Sequence, residues 1–204
     1  VYNPVTNKKI GDCLVKDTHL SFPFILEHND EIYMIPESVE SYTIEMYKCV
    51  DYPLVWDFHS ILIKDIKAVD PLVIFNGDYW YMICNTDNSS LNEFTHEMSI
   101  FYKKDLFDED EKWKSHSQNP IKVSSLGSRN AGLLKENNTI YRCGQVQGFD
   151  KYGKGLLIFE IVEITPTSYI EKEISELEID LKNNRKYIHH FNKNKGLCVF
   201  DSNT

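Results

Sequence analysis

The feature that most constrains the fold is a hairpin-like string that recurs along the chain. Pro23 and Pro71 stand 48 residues apart, and so do Tyr33 and Tyr81, which keeps two whole copies in one register. Each copy has two runs of β-branched and aromatic residues around Asn, Asp or Gly, a pattern that predicts a β-hairpin. The hairpins are predicted near 20–38, 69–86, 128–145 and, in a weaker copy, 187–203.

A second pair of strands is predicted after each of the first three hairpins, within 44–63, 98–121 and 155–174. Each unit then has four short strands, and the chain shows no convincing amphipathic helix. Four-stranded units at this period are typical of β-propeller blades. A β-sandwich is the alternative, because many short strands alone do not exclude it. The stretch ISELEIDLKNN, which begins at Ile174, fits either a helix or a strand.

The number of copies predicts an all-β, five-bladed type of propeller with about four blades in this chain, forming a single domain over 1–204. Only VYNPVTNKKIGDCLVKDT precedes the first hairpin. We expect this tail to supply the last strands of an earlier blade, whose remainder is lost or encoded upstream.

The charge and composition of the chain indicate which classes of binding partner to expect. The formal net charge is −9 and no concentrated basic face is visible, so nucleic acid is not an expected partner. A sugar, an oligosaccharide or a nucleotide sugar fits better. No run of apolar residues is long enough to cross a membrane, so no membrane insertion is expected.

The five cysteines are far apart and form no CxxC pair. We expect them to be reduced and mostly buried, and therefore predict a cytoplasmic location. No metal and no cofactor are predicted.

The repeat also predicts where polar side chains gather. Strand residues advance about 3.3 Å each, so a hairpin brings its second strand back level with its start. By this register Glu37 returns beside Ser21, Asn85 beside Asp70 and Gln145 beside Asn130. The residues predicted to line one axial pocket are His19, Ser21, Glu37, Asp70, Asn85, Arg129, Asn130, Arg142, Gln145, His189 and His190.

Each of these positions has a structural alternative. Asp70 precedes Pro71 and either caps a turn or serves as a site carboxylate. Glu37 is either a solvated corner or a ligand. Arg129 is harder to dismiss, because a guanidinium near an axis must be paired or must bind something. His189 and His190 would point to opposite faces of a strand, so at most one is expected to face the pocket.

Several motifs resemble a known family. THLSFPFILEHNDEIYMIPES, VDPLVIFNGDYWYMI, SRNAG, IYRCGQ and YIHHFN resemble the five-bladed propeller, similar to glycoside hydrolase family 43, that forms the N-terminal domain of plant glucosamine inositolphosphorylceramide transferases. The resemblance covers residues 12 to 204. Similar bacterial domains occur alone or beside domains that resemble sugar formyltransferases. The resemblance therefore implies a carbohydrate-related function and a fused or associated transferase domain.

The resemblance implies Asp70 as the carboxylate that tunes a neighbour's pKa. It also places a general-acid glutamate where Ser128, Arg129 and Asn130 stand here, and a base on the blade that is missing. The hydrolytic pair therefore does not transfer residue by residue. Three hypotheses remain at this stage: a carbohydrate or nucleotide-sugar binding module that assists glycan biosynthesis or transfer, an active glycosidase or glycosyl-transferring enzyme using Glu37 and Asp70, and a protein-docking scaffold.

Overall fold

The computed structural model describes residues 1–88, 93–148, 153–178, 187–194 and 196–201, and its regular structure in these ranges is β-strands and one short 3-10 turn. The chain divides into two compact units, Val1–Ala68 and Val69–Thr204, which are described separately. The prediction of a single domain over 1–204 stays a prediction. In the described ranges, no helix has the length and apolar character needed to span a membrane.

The first unit contains a four-stranded antiparallel sheet in the order β1-β2-β3-β4. Its strands are β1 (Ser21–His28), β2 (Glu31–Glu37), β3 (Thr43–Asp51) and β4 (Val55–Lys64), with a 3-10 turn at Val39–Ser41. Asn29 and Asp30 both have positive φ, 50° and 62°, as a tight hairpin turn that matches the strand twist requires. Ser21 pairs with Glu37, so the register predicted for this hairpin is confirmed.

The tail before β1 departs from the prediction. Residues 1–20 contain no strand, and their backbone pairing is an isolated bridge between Tyr2 and Lys9. Val5 and Val15 are 91% and 81% exposed, so these apolar side chains do not form the buried face that a blade strand would need. The expectation that the tail forms strands of an earlier blade is therefore wrong.

The second unit contains the other three copies of the repeat. Its sheets run β5-β6-β7-β8 with β9 also pairing with β7, then β10-β11-β12-β13, and then β14-β15. The strands are β5 (Ala68–Phe75), β6 (Trp80–Thr86), β7 (Glu97–Lys103), β8 (Lys114–Ser115), β9 (Lys122–Val123), β10 (Leu126–Glu136), β11 (Thr139–Val146), β12 (Gly155–Ile164), β13 (Tyr169–Glu178), β14 (Phe191–Asn194) and β15 (Leu197–Phe200).

Burial explains the composition of the inner hairpins. Strand β6 is buried at every residue and β5 at all but its last, so both read as continuous apolar runs and not as alternating ones. In the next sheet, Ala131, Cys143 and Leu156 form a core against which Phe191 of β14 packs. The stretch ISELEIDLKNN, which fits either a helix or a strand by sequence, forms a strand as far as Glu178. Its residues 179–184 lie outside the described ranges.

The cysteines fit the prediction only in part. All five are free thiols, but only Cys84 and Cys143 are buried, while Cys198 is exposed. Burial raises the pKa of both buried thiols to about 12, which keeps them protonated and unreactive. The expectation that the cysteines are mostly buried is therefore wrong, because Cys198 lies on a strand whose described side chains are exposed.

The inner strands begin with the same backbone distortion in two repeats. Phe22 and Asp70, which precede Pro23 and Pro71, have φ values of 45° and 51°. This left-handed region is unusual for residues other than glycine, and it is more unusual before proline. In β1 the pairing with β2 shifts register between Ser21 and Phe24, as at a β-bulge. The positive φ of Asp70 thus recurs at the equivalent position of another repeat, and it sets the backbone direction at the start of the inner strand.

Candidate functional site

An ion pair between Asp70 and Arg129 is the centre of the polar cluster in the second unit. Arg129 Nε donates to Asp70 Oδ2 over 2.7 Å, joining the start of β5 to β10. The Asp70 side chain is 4% exposed, whereas that of Arg129 is 16% exposed. The carboxylate therefore anchors a guanidinium that solvent still reaches.

Asn130, the next residue on β10, is the hub that connects this pair to the sheet. Its Nδ2 donates to the main-chain oxygens of Asp70 and Ile83, over 2.9 and 3.1 Å. Its main-chain N–H donates to Asn85 Oδ1, and its main-chain oxygen accepts from Gln145 Nε2. Asn130 is fully buried, so these bonds replace those that water would make.

Asn85 closes the network on the other side. Its Nδ2 donates to the main-chain oxygens of Glu97 and Ser128, over 3.0 and 2.8 Å. The two asparagines thus join the sheet of β5 to β9 with the sheet of β10 to β13 through buried side-chain to main-chain bonds. Hydrogen bonds thus join five of the predicted residues from successive hairpins: Asp70, Asn85, Arg129, Asn130 and Gln145.

Arg142 lies beneath Asn130 and has no exposed surface. Its Nη1 donates to Asn130 Oδ1 over 3.3 Å, and its Nη2 donates to Gly127 O over 2.8 Å. Its Nε and Nη2 form a two-pronged pair with Glu171, each at 2.9 Å. The guanidinium also stacks 4.9 Å from the centre of the Phe159 ring, which adds a cation–π contact.

Glu171 on β13 was not singled out by sequence reasoning. Besides Arg142 it accepts hydrogen bonds from Lys122 Nζ and Tyr169 Oη, both at 2.8 Å. Burial alone would raise the pKa of Glu171, but the attraction of Arg142 and Lys122 is stronger and the pKa is lowered. Burial raises the pKa of Tyr169, so this residue stays a neutral donor. No local signal distinguishes Glu171, because β13 also contains Glu173 and Glu176.

Four of the predicted ligand residues are buried, and their roles as ligands stay predictions. Asn85, Asn130 and Arg142 are 0% exposed and Gln145 is 2% exposed. Their polar atoms bond to the protein. Their positions near the ends of inner strands predict ligand contacts, but in the structure their side chains donate hydrogen bonds to main-chain oxygens. Arg129 is the predicted residue of this network whose side chain keeps exposed surface, and Asp70 is its ion-pair partner.

The remaining predicted residues lie apart in the sequence. His19, Ser21 and Glu37 belong to the first unit, where His19 is exposed, and its main-chain N–H donates to Glu40, while Glu37 is 6% exposed. His189 and His190 precede β14, and both of their main-chain N–H groups donate to Asp201 Oδ1. The assumption that these histidines lie on a strand is wrong, and their role as ligands stays a prediction. Among the described residues, no group of three or more His, Cys, Asp or Glu is arranged to hold a metal ion.

Comparison with known proteins gives the family. The family model described as "Glucosamine inositolphosphorylceramide transferase 1, N-terminal" matches residues 2–198. The chain belongs to this family. It is 31% identical over 195 residues to glucosamine inositolphosphorylceramide transferase 1 of Arabidopsis thaliana, an alignment that covers 91% of this chain and 25% of the plant protein. The chain thus spans about a quarter of the length of this curated relative.

The similar solved structures include family-43 glycoside hydrolases. The GH43_1 enzyme from Xanthomonas citri complexed with xylose has a TM-score of 0.63 at 10% identity, covering 92% of this chain and 66% of the enzyme. A thermostable family-43 glycoside hydrolase has a TM-score of 0.58 at 14% identity, covering 91% of this chain and 64% of the hydrolase. The likeness confirms the predicted all-β propeller of the five-bladed type, and the β-sandwich alternative is wrong.

Acid should weaken the second unit through Glu171. The pKa of Glu171 is below its ordinary value of 4.5 in the folded protein, so its contribution to stability is complete above that value. The contribution is lost as the pH falls through the lowered folded pKa.

Urea unfolding between pH 7 and pH 3 should therefore show a steeper loss of free energy of unfolding for wild type than for Glu171→Gln. Glu163→Gln, an exposed glutamate on β12, is the matched control and should follow wild type. Parallel profiles for wild type and Glu171→Gln would contradict this prediction.

Proposed function

We propose that this chain is a carbohydrate or nucleotide-sugar binding module that recognises an anionic group of its ligand, such as a phosphate or a uronate, through Arg129. The observation that carries the proposal is the Asp70–Arg129 pair. Asp70 fixes the guanidinium through Nε, and the side chain remains partly exposed. A planar guanidinium held in one orientation is suited to two-pronged recognition of phosphate or carboxylate.

Family membership supports a carbohydrate-related role. The plant relative is named as a transferase, and the similar solved structures include a family-43 glycoside hydrolase and a GH43_1 enzyme complexed with xylose. The chain corresponds to the N-terminal part of the relative and to about a quarter of its length. We propose that the module assists glycan biosynthesis or transfer by a fused or associated transferase domain, that it acts in the cytoplasm, and that it needs no cofactor.

Binding is favoured over hydrolysis by the residues on β10. Hydrolysis of a glycosidic bond ordinarily needs one protonated and one ionised carboxyl group across that bond. Ser128, Arg129 and Asn130 stand where the resemblance puts the general acid, and none of these side chains is a carboxylic acid. Asp70, the carboxylate of this cluster, is paired with Arg129 and almost fully buried. This arrangement supports a site that orients a ligand without cleaving it.

The proposal is tested by calorimetric titration with glucose 1-phosphate, glucuronate, UDP-glucose and neutral glucose. We expect at least one anionic compound to bind more tightly than glucose. Arg129→Lys keeps the charge beside the buried Asp70 but loses the fork of donors, so it should fold and bind about tenfold more weakly. Lys135→Ala removes an exposed cation from the same strand and should bind like wild type.

Two results would contradict the proposed function. One is the absence of binding by any compound in the panel to folded wild-type protein. The other is equal affinity of wild type and Arg129→Lys. Hydrolysis of aryl glycosides by wild type, lost in both Asp70→Asn and Glu37→Gln, would instead support the enzymatic alternative.

A further inference from the structure

The conformation of Asp70 needs support from its surroundings. A residue other than glycine at φ 51° is strained, and the following Pro71 restricts it further. The main-chain oxygen of Asp70 accepts from Asn130 Nδ2 over 2.9 Å, while its carboxylate accepts from Arg129 Nε over 2.7 Å. Adjacent residues of β10 therefore hold both ends of Asp70.

The orientation of the Asn130 amide is determined by its neighbours. Two main-chain oxygens, of Asp70 and Ile83, lie within hydrogen-bonding distance of Nδ2. Carbonyl oxygens only accept, so the NH₂ group must face them. On the opposite side, Arg142 Nη1 lies 3.3 Å from Oδ1, and a guanidinium only donates. Arg142 therefore favours the amide orientation that supports Asp70.

Arg142 is itself oriented by Glu171. The two-pronged pair fixes the plane of the guanidinium, which leaves Nη1 directed at Asn130 and Nη2 also bonded to Gly127 O. Lys122 and Tyr169 hold the Glu171 carboxylate on its other sides. A continuous chain of hydrogen bonds thus runs from β13, through β11 and β10, to the start of β5.

We propose that Glu171 and Arg142 are positioning residues, which act through Asn130 to fix the Asp70–Arg129 pair for ligand recognition. That the pair recognises a ligand rests on the proposed function. The effect of Glu171 and Arg142 on the geometry of the Asp70–Arg129 pair is a property of the protein without ligand. Neither residue needs to contact a sugar, which agrees with the complete burial of Arg142. Their effect on the site is through geometry.

The test follows the Arg129 Nε–Hε signal by NMR in ¹⁵N-labelled protein of residues 1–204 without ligand. Glu171→Gln removes the charge and keeps the shape, so we expect the signal to shift and its exchange with water to accelerate by about tenfold. Tyr169→Phe removes a single hydrogen bond to Glu171 and should cause a smaller shift in the same direction. If Glu171→Gln does not fold, Tyr169→Phe alone tests whether the hydrogen bonds of Glu171 affect the Arg129 signal.

Glu45 in the first unit offers a matched control. It is also a buried glutamate that accepts hydrogen bonds from a lysine, Lys16, and from a tyrosine, Tyr47. Glu45→Gln should lower the melting temperature but leave the Arg129 signal unchanged. An unchanged Arg129 signal in folded Glu171→Gln and Tyr169→Phe would overturn the inference, and so would an equal shift in Glu45→Gln. Because no ligand is needed, this outcome is independent of whether the chain binds sugars.

Discussion

Arg142→Met is expected to destabilise the protein by about 3–5 kcal/mol, because it removes one partner of a buried ion pair. Arg142 has no exposed surface, and its loss removes the hydrogen bonds that it donates to Asn130 Oδ1, Gly127 O and Glu171. Glu171 keeps Lys122 and Tyr169 as donors but loses the cation buried beside it. Methionine fills much of the same volume, so the change reports on the polar network more than on a cavity. Urea unfolding followed by tryptophan fluorescence measures the free energy of unfolding.

Lys122→Met provides the comparison for Arg142→Met. Lys122 bonds to the same carboxylate, but its side chain is 25% exposed and water can replace part of what is lost. We expect this variant to lose less than half as much stability as Arg142→Met. A loss of under about 1 kcal/mol for Arg142→Met would mean that the buried pair makes no net contribution.

Gly132→Ala should have the second large effect. Gly132 has φ 144°, and a Cβ added there would overlap the main-chain oxygen of Phe191, where β10 packs against β14. The expected loss is about 2–5 kcal/mol, from backbone strain together with overpacking against a main-chain atom that has little room to move. Thermal unfolding should show a lower melting temperature.

Gly77→Ala separates the two contributions to this loss. Gly77 also has positive φ, 79°, but an added Cβ would meet nothing within 4 Å. It should therefore lose only the backbone contribution, about 1 kcal/mol. Equal losses for the two variants would show that the packing of β10 on β14 does not restrict this position.

Local sequence signals predicted the hairpins well, for identifiable reasons. Asn29 and Asp30 in one copy and Asn137 and Asn138 in another take positive φ, which is the turn chemistry that asparagine and aspartate favour. Because such a turn fixes the register, the pairing of Ser21 with Glu37 followed from counting residues. The register predicted for a later copy, with Gln145 beside Asn130, is wrong, because Asn130 pairs with Gly144.

The exposure of the site residues was not predictable in the same way. The alternation of side chains assumes an uninterrupted strand, but the pairing of β10 with β11 shifts register on both sides of Asn130. Ser128 and Asn130 are buried, and Arg129 between them stays partly exposed. Glu171 was missed because its partners, Lys122 and Arg142, come from distant parts of the chain and nothing local distinguishes it from other acidic residues.

The most direct measurement for the central claim is an NMR titration of ¹⁵N-labelled protein with glucose 1-phosphate, glucuronate and UDP-glucose, observed at Arg129 Nε–Hε. In wild type we expect a saturable shift of this signal together with shifts of the main-chain signals at Asp70. In Arg129→Lys, the Asp70 shifts should saturate only at higher ligand concentration. Saturable binding that leaves the Arg129 and Asp70 signals unchanged, or no binding of any of the three compounds, would contradict the account.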